Sequence, residues 1–480
     1  MNELTAKRNA VTELMRISPL ANEMAALFAK AGHRLYLVGG SVRDALLGRL
    51  SADLDFTTDA RPEQILKVVR GWADGVWEAG IAFGTVGVTK RGSTLEITTF
   101  RADEYDRVSR NPDVTFGDSI EGDLKRRDFT VNAMAIDLST KQFVDPHHGL
   151  EALGRKVLDT PATPEESFAD DPLRMLRAAR FVAQLGFEPA PRVVTAMTEM
   201  AGEIERITAE RVQAELSKLL LGRFPRRGLE LMVDTGLADR ILPEVPGMRL
   251  AIDEHHQHKD VYQHSLTVLE QAIALERRDD PDAEPDLVLR LAALLHDIGK
   301  PATRKFEPGG GVSFHHHEVV GAKLARKRLR ALKYPKQVIE DVGQLVFLHL
   351  RFHGYGKGEW TDSAVRRYVT DAGHLLPRLH KLVRADSTTR NKRKAAALQR
   401  TYDDLEKRIA RIQAEEDLAK VRPDLDGNEI MRILGLPPGP MVGKAWKHLK
   451  ELRLDRGPLD HDEAVAELHR WAAENGITPS

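Results

Sequence analysis

Cysteine is absent from the 480 residues, which excludes disulfides and every thiolate metal site. A dominant charge is absent too: 71 basic and 72 acidic residues leave a formal net charge of −1. Contact with nucleic acid therefore has to come from local basic patches and not from a global field. No run approaches the roughly 18–20 apolar residues that span a bilayer. The opening "MNELTAKRNAVTELMRISPL" has neither the apolar core nor the cleavage pattern of a secretory leader. The expectation is a soluble cytoplasmic protein with no membrane association and no evident protein partner. What is present is 42% apolar content over a long chain, enough for large cores and several domains.

The stretch "LYLVGGSVRDALLGRLSADLDFTT", Leu35 to Thr58, reads as a strand, a Gly39–Gly40 turn, a helix with Ser41 as N-cap, and a second strand. A strand, a Gly-rich turn and a helix N-terminus together make an anion site of backbone N–H groups. Arg43 in the first turn can pair with phosphate. Asp53 and Asp55 alternate with Leu54 and Phe56, so a strand turns both carboxylates to one face. Taken alone, such a pair is an ordinary solvated strand edge. Beside an anion site, two carboxylates that repel each other call for a hard divalent cation. Two metals roughly 3.5–4 Å apart can activate a hydroxyl and stabilise departing pyrophosphate.

Farther on, "PEQILKVVRGW" predicts a helix and "GTVGVTKRGSTLEITTF" two strands around a turn. "DLKRRDFTVNAMAID" holds Arg126, Arg127, Asp128 and Asn132, either a helix start with a capping Asp or a site for ribose and triphosphate. "ADDPLRMLRAARF" places Asp171, Arg174, Arg177 and Arg180 at spacing three, near one helical face. These are a surface salt-bridge row or, as acceptor and fork-shaped donors together, readers of a base edge. After about Glu151 strand signals fade and helical spacing dominates.

In that order, "LVGGSVRDALLG...DLDF", "DLKRRDFTVNAMAID" and "DDPLRMLRAARF" resemble the bacterial class II tRNA nucleotidyltransferase and poly(A) polymerase family across roughly residues 30 to 240. "ERVQAELSKLLL" fits that family's following helix. The resemblance implies catalytic magnesium on Asp53 and Asp55, with Glu96 of "TLEITTF" as a third carboxylate beside it. It implies triphosphate contacts from Gly40 and Arg43, and nucleotide binding by Arg127. Asp171 and Arg174 would be the amino-acid template for the incoming base, with Arg177 and Arg180 completing the pocket. Family members often have Glu-Asp where this chain has Asp170–Asp171; the second carboxylate, which carries the base contact, is retained.

A second constellation follows: His264 in "YQHSLTVL", His296 and Asp297 in "LLHDIGKPA", and Asp386 in "VRADSTT". Imidazole and carboxylate together suit a divalent transition metal with water as nucleophile. The pattern, with Lys300 trailing the His-Asp pair, resembles the HD phosphohydrolase superfamily across about residues 255 to 390. His317 and His349 are candidates to extend it to a second metal. Basic "AKLARKRLRALKYPK" and "TTRNKRK" are solvated helix faces or a track for RNA phosphates. They lack interleaved aromatics, which favours backbone recognition over base stacking.

The expected fold is α+β: a small mixed-sheet nucleotidyltransferase head, an all-α neck, an HD body and a helical tail. The expected domains are 1–150 for the head with its N-terminal helix, 151–250 for the neck with the template, 251–390 for the HD region and 391–480 for the tail. The expected activity is template-independent addition of CCA to tRNA 3′ ends from CTP and ATP, with an HD phosphohydrolase as side activity. The alternatives are a poly(A) polymerase, an enzyme adding only CC or only A, and an HD hydrolase or RNA-binding regulator with an inactive head. "RADEYDRVSRNPDVTF", Arg101 to Phe116, fills the stretch of the family's flexible loop and disfavours a CC-only enzyme.

Overall fold

The computed structural model describes residues 12, 18–49, 53–102, 115–249, 260–352, 355, 360–387, 392–416 and 422–477. Most of the flexible-loop stretch and the start of "TTRNKRK" lie outside the described residues. The chain divides into two units, Met1–Pro243 and Glu244–Ser480.

The first unit begins with α1 (Pro19–Lys30), β1 (Leu35–Val38), α2 (Gly40–Leu46), β2 (Asp53–Thr58) and α3 (Pro62–Val69). Next come β3 (Gly75–Trp77), β4 (Thr85–Lys90), β5 (Ser93–Thr99), α4 (Ile120–Lys125), β6 (Ala135–Asp137) and β7 (Phe143–Val144). The seven strands form one mixed sheet in the order β3-β4-β5-β2-β1-β6-β7. β1 runs antiparallel to β2, while β2 pairs in parallel with β5. Both faces of β1 are covered: Leu35 and Leu37 join Phe28, Phe56 and Ile97 in one core, Tyr36 and Val38 join Phe100 and Leu124 in another. That double burial explains why "LYLV" is apolar throughout instead of alternating.

Helices then take over: α5 (Gly149–Arg155), α6 (Pro164–Asp170), α7 (Leu173–Leu185), α8 (Pro191–Met200), α9 (Ala209–Leu220), α10 (Pro225–Asp234) and α11 (Leu237–Ile241). α7 packs against α9 and α10. "RRGLELMVDTGLADRIL" is two helices and not one, because Gly236 turns left-handed at φ 80° between them.

The second unit carries α12 (Val261–Asp279), α13 (Leu287–Leu295), α14 (His317–Ala331), α15 (Lys336–Leu348), α16 (Asp362–Ala372), α17 (Leu376–Asp386) and the long α18 (Lys392–Glu416). α13 is buried from Val288 to Leu295 and packs against α12, α15 and α17. α19 (Gly427–Leu434), α20 (Pro440–Arg456) and α21 (His461–Glu474) close a separate small core around Ile430, Leu449 and Leu468. No helix among the described residues is long and apolar enough to cross a membrane.

Candidate active site and metal centre

Topology brings the first site together. β1 ends at Val38, and Gly39, at φ 67°, turns the chain into α2. A Cβ on Gly39 would stand 3.0 Å from an Arg127 guanidinium nitrogen and 3.9 Å from a carboxylate oxygen of Asp55. Glycine is therefore required there both by its conformation and by the side chains crowding it. Ser41 is not the N-cap: Gly39 takes that position without a side-chain bond, and the Ser41 hydroxyl accepts instead from the Asp55 backbone N–H at 3.0 Å. The serine thus ties the Gly turn to the carboxylate strand.

On β2 the burial alternates at Asp53-Leu54-Asp55-Phe56, exposed, buried, exposed, buried, so both aspartates leave the apolar face. Parallel pairing sets Asp55 opposite Glu96 on β5, which is how two carboxylates distant in sequence become neighbours. The Asp55 side chain opens to solvent only through the active-site cavity, and the protein packed around its carboxyl desolvates it and raises its pKa; Glu96 and Asp53 raise it further, while Arg127 and Arg43 pull it down. A desolvated carboxylate among like charges is a fit for a bound cation.

A cavity of about 760 Å³ opens here, lined by Gly39, Gly40, Arg43, Asp55, Glu96 and Arg127 at the Gly turn. Asp171, Arg174, Arg177, Arg180, Phe181 and Lys218 line it as well. Asp53 is not among the lining residues. The arginine row is not a surface salt-bridge row, since Arg174 and Arg180 are each only 8% exposed. Nor is Asp171 on the helix: it occupies the extended junction between α6 and α7, at φ −142° and ψ 99°.

The buried polar groups form a chain. Arg43 donates to the Asn132 side chain at 2.6 Å, and Asn132 donates to Asp128 at 3.0 Å. Asp128, which also accepts from the Phe129 N–H, takes the Arg177 guanidinium at 2.8 Å. Arg177 and Arg180 both face Glu215 of α9, at 3.8 and 3.0 Å. Burial disfavours the Asp128 carboxylate, but Arg177 and the Asn132 hydrogen bond outweigh it and hold its pKa well below the carboxylate range. Burial and the Arg177 charge push Arg180 down to about 10. The Phe181 ring carries the guanidinium groups of Arg43, Arg177 and Arg180, 5.3, 5.8 and 4.3 Å from its centroid. Glu215 was not singled out from the sequence, although its spacing from Arg211 and Lys218 marks a polar stripe on α9.

In the second unit, His264 on α12, His296 and Asp297 after α13, His317 opening α14, His349 closing α15 and Asp386 ending α17 converge. They make two groups with potential ligand atoms within 4.8 Å: His264, His296 and Asp386, then Asp297, His317 and His349. Asp297 straddles them. Its Oδ1 stands 3.2 Å from His317 and 3.7 Å from His349, and its Oδ2 lies 3.3 Å from His296 and 3.7 Å from His264. Lys300 holds Oδ2 at 2.7 Å.

Three of the histidines share one device. The Nδ1 of His296, His317 and His349 each lies 2.6–2.8 Å from the carbonyl three residues earlier. A carbonyl only accepts, so a proton sits on Nδ1 and Nε2 is the ring atom turned toward the carboxylates and left for ligation. Those three Nε2 atoms are buried without a hydrogen-bond partner, which fits metal ligation. Burial opposes charge here, but Asp297 and Asp386 raise His296 to about 10, and its charge in turn holds both carboxylates well below their ordinary value. His349 is driven down to about 4 by burial and by the neighbouring His296.

Both units match known domain families. Residues 35–159 match the poly A polymerase head domain, 186–248 the probable RNA and SrmB-binding site of polymerase A, and 261–411 the HD domain. An A-adding tRNA nucleotidyltransferase of Deinococcus radiodurans is 36% identical over 91% of this chain and 95% of its own. This chain belongs to the tRNA nucleotidyltransferase family. A CCA-adding enzyme of Geobacillus stearothermophilus is 38% identical over 56% of this chain and 68% of its own. Among solved structures, the Bacillus stearothermophilus CCA-adding enzyme in complex with CTP has a TM-score of 0.68 at 26% identity, covering 95% of this chain and 98% of its own. The chain is thus a nucleotidyltransferase with an HD domain, and both of these domain types use divalent metals.

Proposed function

We propose that this protein adds C, C and A to the 3′ ends of tRNA, taking CTP and ATP without a nucleic-acid template. The observation that carries the reading is one cavity lined by the Asp55 and Glu96 carboxylates, the Gly39–Gly40 turn with Arg43, and the Asp171 and Arg174 pair suited to a base edge. The Gly39–Gly40 turn and Arg43 hold the triphosphate. Arg127, braced by Asp123 at 3.1 Å, lies against that turn. Asp171 accepts from the amino group shared by cytosine and adenine, and Arg174 donates to the adjacent ring nitrogen. The 3′ hydroxyl of the tRNA then attacks the α-phosphate and pyrophosphate leaves.

Asp53, Asp55 and Glu96 are the residues that would hold magnesium. The ion supplies Lewis-acid activation of the hydroxyl and neutralises charge on the leaving group. His264, His296, Asp297 and Asp386 would hold a divalent transition metal for phosphoester hydrolysis, with His317 and His349 extending the site to a second ion. The domain reading remains a head to residue 150, a neck to 250, an HD region to 390 and a tail beyond, in a cytoplasmic enzyme.

A second reading is favoured by one observation: a relative that matches nearly end to end is an A-adding enzyme. Incubation with tRNA ending at the discriminator base, at C and at CC, with each nucleotide in turn and with CTP and ATP together, separates the two. A CCA enzyme extends the first substrate by three residues, and an A-adding enzyme extends only the last, by one. A long adenylate tail would instead mark a poly(A) polymerase.

A further inference from the structure

The Asp171 carboxylate is held from outside the cavity. Its backbone is fixed on both sides: its N–H donates to Ser167 at 3.2 Å and its carbonyl accepts from Arg174 at 3.0 Å. Its Oδ1 accepts from the Leu173 N–H at 3.1 Å, and its Oδ2 takes the guanidinium of Arg211 at 2.8 Å. Arg211 belongs to α9 and is not among the cavity-lining residues. Arg174 is fixed separately, by the Ser167 hydroxyl at 3.0 Å and the Arg126 carbonyl at 2.6 Å.

We propose that Arg211 is a positioning residue for base selection, holding the Asp171 carboxylate in the orientation that accepts from the incoming base. The inference rests on the reading of Asp171 and Arg174 as the base reader. With one oxygen on Leu173 and the other on Arg211, the carboxylate plane is defined, and each oxygen keeps a further lone-pair direction for the base. Without Arg211, one oxygen is released and the carboxylate can rotate. The nearest strong donor along its own chain is Arg174, three residues on. An Asp171–Arg174 ion pair would spend the acceptor and the donor on each other, leaving little to distinguish one base from another. A second feature points the same way. Arg211, Glu215 and Lys218 stand at i, i+4 and i+7, so one stripe of α9 faces the site. Glu215 steadies Arg177 and Arg180 as Arg211 steadies Asp171.

The test is single-turnover incorporation of each of the four nucleotides by the full chain, on the tRNA end that it extends. It is run for R211Q, R211K, D171A and the double variant D171A/R211Q. Arg211 is about half exposed, so its replacement leaves the core intact, and a thermal melt of R211Q checks this. D171A is expected to narrow the preference for the correct over the incorrect base by roughly tenfold or more. R211Q should narrow it by roughly threefold to fivefold, the range of a half-exposed ion pair. R211K should regain most of the loss, and the double variant should match D171A alone, because Arg211 acts through Asp171. If R211Q slows all four nucleotides equally while D171A alters the preference, the Arg211 inference is overturned and the base reader stands. If D171A itself leaves the preference unchanged, both fall.

Discussion

Arg177 and Asp128 stand 2.6 Å apart, and through that contact the helix α7 is tied to the segment that follows α4. Asp128 reaches Arg43 by way of Asn132, and Arg177 reaches Glu215. The residues read as phosphate anchor and as base pocket are therefore joined by one buried polar chain. Such a chain is costly to interrupt at any single member, since the partner is left charged in low dielectric.

The first prediction follows from the direction of the Asp128 shift. Its folded pKa lies below the unfolded value, so the stabilisation is full above about pH 4–5 and is lost as pH falls toward the folded value. D128N should therefore lower stability at pH 7, by about 3–5 kcal/mol for a broken buried pair. It should also flatten the acid limb of stability. Urea midpoints from pH 2 to 7 for both proteins check this; parallel curves would show that the carboxylate is not held by Arg177.

The second concerns Asp53 and Asp55. Each replaced by Ala should abolish nucleotide addition without unfolding the chain, because both leave the apolar face of β2. E96A should act in the same direction. A D55A protein that still extends tRNA at a near wild-type rate would remove these residues from the magnesium site.

How far each of these was legible depended on distance along the chain. The Asp-x-Asp alternation and the strand–Gly turn–helix of "LYLVGGSVRD" are local patterns, and they stand as expected. Ser41 misled because it has the composition of a cap, while the φ of Gly39 had already supplied the turn. Glu96 beside Asp55 depends on β2 pairing in parallel with β5, a register no local pattern contains. Arg211 on Asp171 and Glu215 on Arg180 are set by helix packing 40 and 35 residues away. Likewise, the role of Asp297 between two histidine groups appears only once five helix ends meet.

The third prediction separates the two sites. H296A with D297A, and H317A alone, should lower bound transition metal, read by elemental analysis after dialysis against zinc, manganese or nickel. The double variant should empty both groups, since Asp297 straddles them, while H317A should lose the second ion only. Addition of nucleotides to tRNA should persist in both. Loss of addition by the double variant, still folded, would mean that the second unit's metal centre serves the first reaction.

The last prediction concerns RNA contact by α14. Its Ala322, Ala325 and Leu329 are buried, whereas Lys323, Lys327 and Arg330 are exposed. The neighbouring Arg326 and Arg328 are already engaged by Glu340 and Glu244. Among the described residues no acidic partner meets the exposed three, so their charge is available to phosphate. Neutralising them to Gln should weaken tRNA binding without changing base choice, because phosphate contacts position the nucleic acid and do not read it. The slope of log K against log salt should become shallower by about 2–3, close to one unit per lost phosphate contact. Filter binding of tRNA across a salt series measures that slope. A weaker affinity at an unchanged slope would mean that the stripe acts through the fold and not through RNA charge, and an unchanged affinity would leave α14 a solvated face.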